Sequence, residues 1–382
     1  MSNCDFQPYA VVVAVAGVAI AAAMASAPIA DASASQVRVE TVARGLEHPW
    51  GLTFLPDGAM LVTERPGRVR LVAADGSMSD PIAGAPQTRA FGQGGLLDVA
   101  LHPDFASNGL VYFTFAELDG GSAGTAVARA RLVRTEGAPP RFEGLQTIFR
   151  MNRKSSGNRH FGSRLAFATD GTLFVTIGDR GEMERAQVAT DHAGSVLRIA
   201  DDGAVPPDNP FADGAAAAPE IWSFGHRNPQ GAAIHPDTGA LWTVEHGPRG
   251  GDELNIPRRG ANHGWPVISY GVHYSGRTVG EGTEKEGMEQ PIHYWDPSVS
   301  PSGLMFYTGD VFPDWRGDLF TGGLSGQVLV RLELDGERVT GEERLLGDLG
   351  MRIRDVRQGP DGHIYLLTDS GDGRILKLSP PD

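Results

Sequence analysis

Six times along the chain a short apolar run meets a tight polar turn, and a second apolar run follows. The copies are Gly51–Glu64, Asp98–Glu117, Arg164–Asp179, Gly231–Gly247, Ser302–Gly323 and Asp355–Asp369. Four of the turns carry PDG, TDG or PDTG sequences, which end one strand and start its antiparallel neighbour. Most copies lead into a third, outer strand pattern, such as Gly67–Val72, Val328–Leu334 or Gly373–Leu378. Helical periodicity is almost absent. Several strands per unit, repeating at about 45 to 70 residues, predict a β-propeller, because a lone blade cannot bury both faces. Six copies predict an all-β, six-bladed propeller over residues 37–380. Glycine and proline, 51 and 26 residues, supply the many turns such a fold needs.

One apolar stretch breaks the pattern. Ala10–Ala25 leads to small-residue sites such as Ala32-Ser33-Ala34, so residues 1–34 read as an export signal and the chain as periplasmic. Residues 1–9 hold no Lys or Arg and include Asp5, which keeps a misassigned start or an uncleaved anchor open. The only cysteine, Cys4, lies ahead of this stretch, so the mature chain is expected to hold no disulfide. A net charge of -14 argues against nucleic acid as a partner.

In a propeller, the start of each blade's first strand and the end of its second lie on one face. His160 stands at such a start and Asp179 at the end of the same hairpin. A carboxylate beside an imidazole fixes its tautomer and raises its basicity, an arrangement suited to a general base. The same positions hold Gln93 before the second repeat and Arg227, Asn228 and Gln230 before the fourth. Gly247 and Pro248 follow the fourth, and Arg352 and Arg354 precede the sixth. Three arginines on one face of an acidic protein suit a ligand with several carboxylates or phosphates. Gly247-Pro248 offers backbone carbonyls to a hard cation such as Ca²⁺. Asp252 and Glu253 form an acidic pair in the long glycine-rich insert, as a structural Ca²⁺ site or as a solvated turn. Trp265 and Pro266 read as residues that shape this insert rather than touch a ligand. There is no GxGxxG fingerprint, no HExxH or CxxC, and no GxSxG elbow, so nicotinamide, zinc and common serine-hydrolase chemistries are not indicated.

With GQGGLLDVALHPDF, HFGSRL, IGDRG, FGHRNPQG, EHGPRGGDELN, SPSG and RIRDV assembled, the chain resembles the soluble PQQ-dependent glucose and aldose sugar dehydrogenases from Val39 to Leu378. The resemblance implies a six-bladed quinoprotein with pyrroloquinoline quinone (PQQ) at the axis. It implies that His160 takes a proton from the sugar C1 hydroxyl while hydride passes to the quinone, and that Asp179 supports His160. It places Gln93, Arg227, Asn228, Gln230, Arg352 and Arg354 around the cofactor. Gly247 and Pro248 would face one Ca²⁺, and Glu253 with the His263 backbone a second. The implied partners are an aldose and a quinone or cytochrome acceptor, with the chain a monomer or homodimer. Ser325 replaces a lysine of the glucose-active members, Arg159 replaces an aspartate before the base, and HYWDPS at His293–Ser298 departs from the family pattern. Two other readings are a calcium-dependent propeller lactonase, which needs axial carboxylates, and a non-catalytic propeller that has lost the cofactor.

Overall fold

Every repeat folds as one antiparallel sheet, and the first strands of the six sheets touch in sequence around a closed ring. The structure is a computed structural model that describes residues 29–31 and 37–381. Blades one to six begin with the first strands Pro49–Phe54, Leu96–Leu101, Leu165–Phe167, Pro229–Ile234, Pro301–Phe306 and Ile353–Gln358. Their second strands are Met60–Glu64, Leu110–Asp119, Leu173–Ile177, Leu241–Glu245, Leu319–Gly323 and Ile364–Thr368. The hairpins match the sequence repeats one for one. Most of the reading of residues 1–34 as an export signal falls outside the described residues. Within it only Ile29–Asp31 is described, as a strand parallel to Arg338–Leu345 of blade five.

The ring closes with a strand that the repeat pattern does not reveal. Arg38–Leu46 runs antiparallel to Gly373–Ser379 and completes blade six, so the two ends of the propeller share one sheet. Blade one keeps three regular strands, and its outer edge is covered by backbone bonds from Ser79 to Leu71 and from Ile82 to Val69. Successive blades are separated by apolar layers. Val99 and Phe113 pack with Leu61 between blades one and two. Trp242 and Leu254 pack with Phe306 and Val330 between blades four and five. Leu52 and Val62 pack with Leu367 and Ile375 across the closure. This stacking explains why second strands such as Leu173–Ile177 are buried at all five positions instead of alternating.

A threonine in the second strand fixes the bend of each early blade. The hydroxyls of Thr63, Thr114 and Thr176 accept the N–H of Gly51, Asp98 and Arg164 in their own blades. They donate to Leu97, Ser163 and Pro229 carbonyls in the next blade. The pairing of first and second strands slips at this level in several blades, as between Leu96 and Val99. Such a slip re-aims the upper end of the strand. The residue at the slip then points to the axis. There Arg164, 1% exposed, meets Asp98 at 3.0 Å and Asp355 at 3.1 Å. It also donates to the carbonyls of Gln230 and Arg354.

Candidate active site

Above that axial cluster lies a cavity of about 680 Å³ to which all six blades contribute. Trp50 and Arg65 come from blade one, Gln93 from the approach to blade two, and His160 from the approach to blade three. Blade four and its insert add Arg227, Gln230, His246, Gly247 and Pro248. Ser300 and Ser325 come from blade five; Arg352, Arg354 and Asp369 come from blade six. Five arginines and two aspartates line the cavity, a surplus of three positive charges in a protein of net charge -14.

His160 sits in the left-handed region, at φ 54°, and its place is fixed from several sides. Its N–H donates to the Gln93 side chain at 2.8 Å, and its Nδ1 lies 2.6 Å from Asp179 Oδ1. Asp179 Oδ1 also accepts the Gly181 N–H, and Oδ2 accepts the indole N–H of Trp265 at 2.9 Å. Arg180 clamps the loop by donating to the Gly157 and Arg159 carbonyls, with its guanidinium over the Phe161 ring. Gly178 is needed here because a Cβ would meet the His160 carbonyl at 2.4 Å. With Nδ1 committed to Asp179, Nε2 is left to the cavity.

Burial is the largest influence on His160 and, with Arg227, brings its pKa below the ordinary value against the opposing pull of Asp179. The sequence-based expectation of raised basicity is therefore corrected: desolvation wins over the carboxylate. Burial alone would push Asp179 up, but bonds from His160 and Gly181 and the charge of Arg227 hold it below the ordinary carboxylate range. His246, bonded through Nε2 to the Pro301 carbonyl, is lowered to about 3 by burial and by Arg227 and Arg354.

The arginines are held differently. Arg354 is buried and bonded to Gln230 and Asp369, while Arg227 bonds the His246 carbonyl. The Nε atoms of both lack a protein partner. Arg352 is more open, bonding the Leu324 carbonyl and lying 3.7 Å from Asp369. Burial pushes Asp369 up, but these arginines and His48 outweigh it and hold it well below the usual carboxylate range. Ser325 bonds Ser300 at 2.8 Å on the cavity wall, where a lysine would add a cation.

Several sequence candidates do not open onto this cavity. Asn228 lies beneath it, its side-chain oxygen accepting the Gly162 N–H; it braces the His160 loop. Asp252 and Glu253 are neighbours on the strand Asp252–Asn255 and point to opposite sides, so they do not form a pair. Asp252 is fully buried and spends its oxygens on the Gly247 N–H, Ser298 and the Ser300 N–H. Glu253, Gly247, Pro248 and His263 line a second pocket of about 10 Å³, one ion or water in size. Burial and Glu245 push Glu253 up to about 8, and the neutral Asn255 amide donates to its carboxylate. A cation there would relieve that carboxylate. Among the described residues no three His, Cys, Asp or Glu side chains converge as a metal site, so a cation here would draw on backbone carbonyls beside single carboxylates.

Trp50, Arg65, His246 and Asp369 are not among the sequence candidates, yet they line the cavity too. Each stands at a strand start or strand end equivalent to those of Gln230, Arg354 and Asp179, and that equivalence is the signal the sequence carries for them. Trp265 does not reach the main cavity, as expected, but it touches Asp179.

Residues 46–377 match the glucose/sorbosone dehydrogenase family. The aldose sugar dehydrogenase YliI of Escherichia coli K12 is 45% identical over 353 residues, covering 91% of this chain and 94% of its own. A crystal structure of a glucose dehydrogenase superposes with a TM-score of 0.86 at 51% identity, over 89% of this chain and 99% of that one. The PQQ-bound aldose sugar dehydrogenase of Streptomyces coelicolor superposes at 0.75 with 30% identity, over 90% and 98%.

Proposed function

The chain belongs to the glucose/sorbosone dehydrogenase family, and on that premise we propose that it is a PQQ-dependent aldose sugar dehydrogenase that oxidises the C1 hydroxyl of an aldose to the lactone. The observation that carries the reading is a cavity with three surplus positive charges around a buried histidine–aspartate pair. PQQ is a tricarboxylate, and that surplus matches it charge for charge. The buried Nε atoms of Arg227 and Arg354, without protein partners, fit an anionic guest, and so does the PQQ bound by the Streptomyces relative.

In this reading Arg227, Arg352 and Arg354 hold the cofactor's carboxylates, and Gln93 and Gln230 serve its neutral oxygens. When bound, PQQ supplies the two-electron acceptor for the C1 hydride. His160 Nε2 takes the hydroxyl proton. Asp179 keeps the imidazole in the tautomer with Nδ1–H and stabilises it once it is charged. The blades exclude bulk water from that proton transfer and hold the sugar against the base. Gly247 and Pro248 carbonyls, with Glu253 and the His263 backbone behind them, are assigned to Ca²⁺. Asn228 and Asp252 hold the loops. We assign the enzyme to the periplasm, on the export pattern of residues 1–34, with a respiratory quinone or cytochrome as electron acceptor.

The test is reconstitution. Chain purified without cofactor, given PQQ and Ca²⁺, reduces a dye in the presence of aldoses, and His160→Ala lowers kcat at least about 100-fold while still binding PQQ. Dye reduction independent of PQQ, or an unaffected His160→Ala, would overturn the reading.

A further inference from the structure

Trp265 belongs to the long loop between the third and fourth strands of blade four, Asp252–Asn255 and His293–Trp295, yet its indole reaches Asp179 at the end of blade three's second strand. Its Nε1–H donates to Asp179 Oδ2 at 2.9 Å, on the carboxylate whose other oxygen holds His160. Its backbone is pinned at both polar atoms: the N–H donates to the Gly225 carbonyl, and the carbonyl accepts the Gln187 amide at 2.7 Å. The Arg227 guanidinium lies 5.3 Å from the ring centroid. Trp265 is 8% exposed and does not line the main cavity, so it touches neither the substrate nor the quinone of the proposed reaction; it borders the small second pocket beside Glu253 and His263.

A carboxylate shares one negative charge among its donors. Each donor that draws on Asp179 leaves less charge to stabilise an imidazolium on His160. We propose that Trp265 is a positioning residue for the base: its N–H holds Asp179 in register and draws charge from it, which keeps the His160 imidazole neutral and ready to accept a proton. The inference rests on His160 being the base of the proposed dehydrogenase. The other charges facing the pair are Arg227, Arg159, Arg180 beside Asp179, and His246 across the cavity. Trp265→Phe leaves all of them in place and removes one hydrogen bond.

The decisive measurement needs no cofactor. In ¹⁵N-histidine-labelled protein without PQQ, the His160 titration midpoint is expected to rise by about half to one pH unit in Trp265→Phe. It is expected to be the same in Asp179→Asn and in Asp179→Asn/Trp265→Phe, because the effect passes through the carboxylate. Coincident midpoints in wild type and Trp265→Phe, or an equal shift in the Asp179→Asn background, overturn the proposal. Should the phenylalanine variant not fold, wild-type chain grown on 5-fluorotryptophan, whose indole N–H is a stronger donor, must show a lowered midpoint; no change overturns the proposal as well. With PQQ and Ca²⁺ added, the acid limb of kcat/KM moves with the NMR midpoint. A wild-type protein that oxidises no aldose defeats the dehydrogenase reading, and the NMR titration still decides whether Trp265 tunes His160.

Discussion

His160 and His246 face the same cavity and illustrate two uses of a desolvated imidazole. His160 has a carboxylate behind it, so a proton taken from substrate meets a counter-charge within 2.6 Å. His246 has only the Pro301 carbonyl, with Arg227, Arg354 and His160 opposing any positive charge on it. Its folded pKa of about 3 lies below the ordinary value of 6.5, so below pH 6.5 the unfolded chain binds a proton that the folded chain refuses. That stability is complete above pH 6.5 and is lost as pH falls toward 3. His246→Gln, which keeps a donor for the Pro301 carbonyl, is expected to recover about 2 kcal/mol of the stability lost between pH 7 and pH 4.5. Urea unfolding at the two pH values checks this, and an equal acid loss in wild type and variant would remove His246 from the account.

Hairpins with the right chemistry at their ends were readable from the chain because strand period and turn residues are local signals. Gln93, His160, Arg227, Gln230, Arg352 and Arg354 were found by taking the same place in successive repeats, and the cavity gathers all of them. Which side chains turn away was not readable. Asn228 follows Arg227 by one residue and is buried beneath it, and Asp252 and Glu253 part because strand neighbours face opposite ways. The threonines at 63, 114 and 176 are visible as letters, but their role depends on which carbonyl of the next blade stands opposite, and no local pattern encodes that. The serine in blade five can be tested at the same scale. Ser325 adds a hydroxyl where the family resemblance implies a lysine, and its bond to Ser300 occupies a cavity wall near Arg352. Ser325→Lys supplies one more charge-assisted bond to a carboxylated guest and is expected to lower the Kd for PQQ about tenfold. Calorimetric titration of the cofactor-free protein measures it; an unchanged Kd means that the existing arginines already satisfy the guest.

At the scale of the whole molecule, the ring is held by what lies at its axis as much as by the strand that closes it. Arg38–Leu46 joins the chain ends within blade six, while Arg164 joins blades two, three and six through Asp98 and Asp355. Arg357 adds bonds to both aspartates, and Leu165 and Leu52 donate backbone N–H groups to them. Trp50 lies against this cluster, with the Arg164 guanidinium 4.1 Å from its ring centroid, and it also packs with Leu97 and Phe161 and borders the cavity. Removing the cation would leave two buried carboxylates facing one another with Arg357 alone between them. Burial and the nearby charge of Asp98 already push Asp355 up, although Arg164 and Arg357 oppose the shift. Arg164→Met, which keeps most of the volume, is therefore expected to cost about 3–5 kcal/mol of stability. The loss should be smaller at pH 5 than at pH 8, since at the lower pH one aspartate of the uncompensated pair can take up a proton. Because Arg164 also bonds the carbonyls of Gln230 and Arg354, PQQ affinity should fall together with the melting temperature. A variant that melts like wild type, or whose loss is the same at both pH values, would mean that the blades hold their ring without the axial charges.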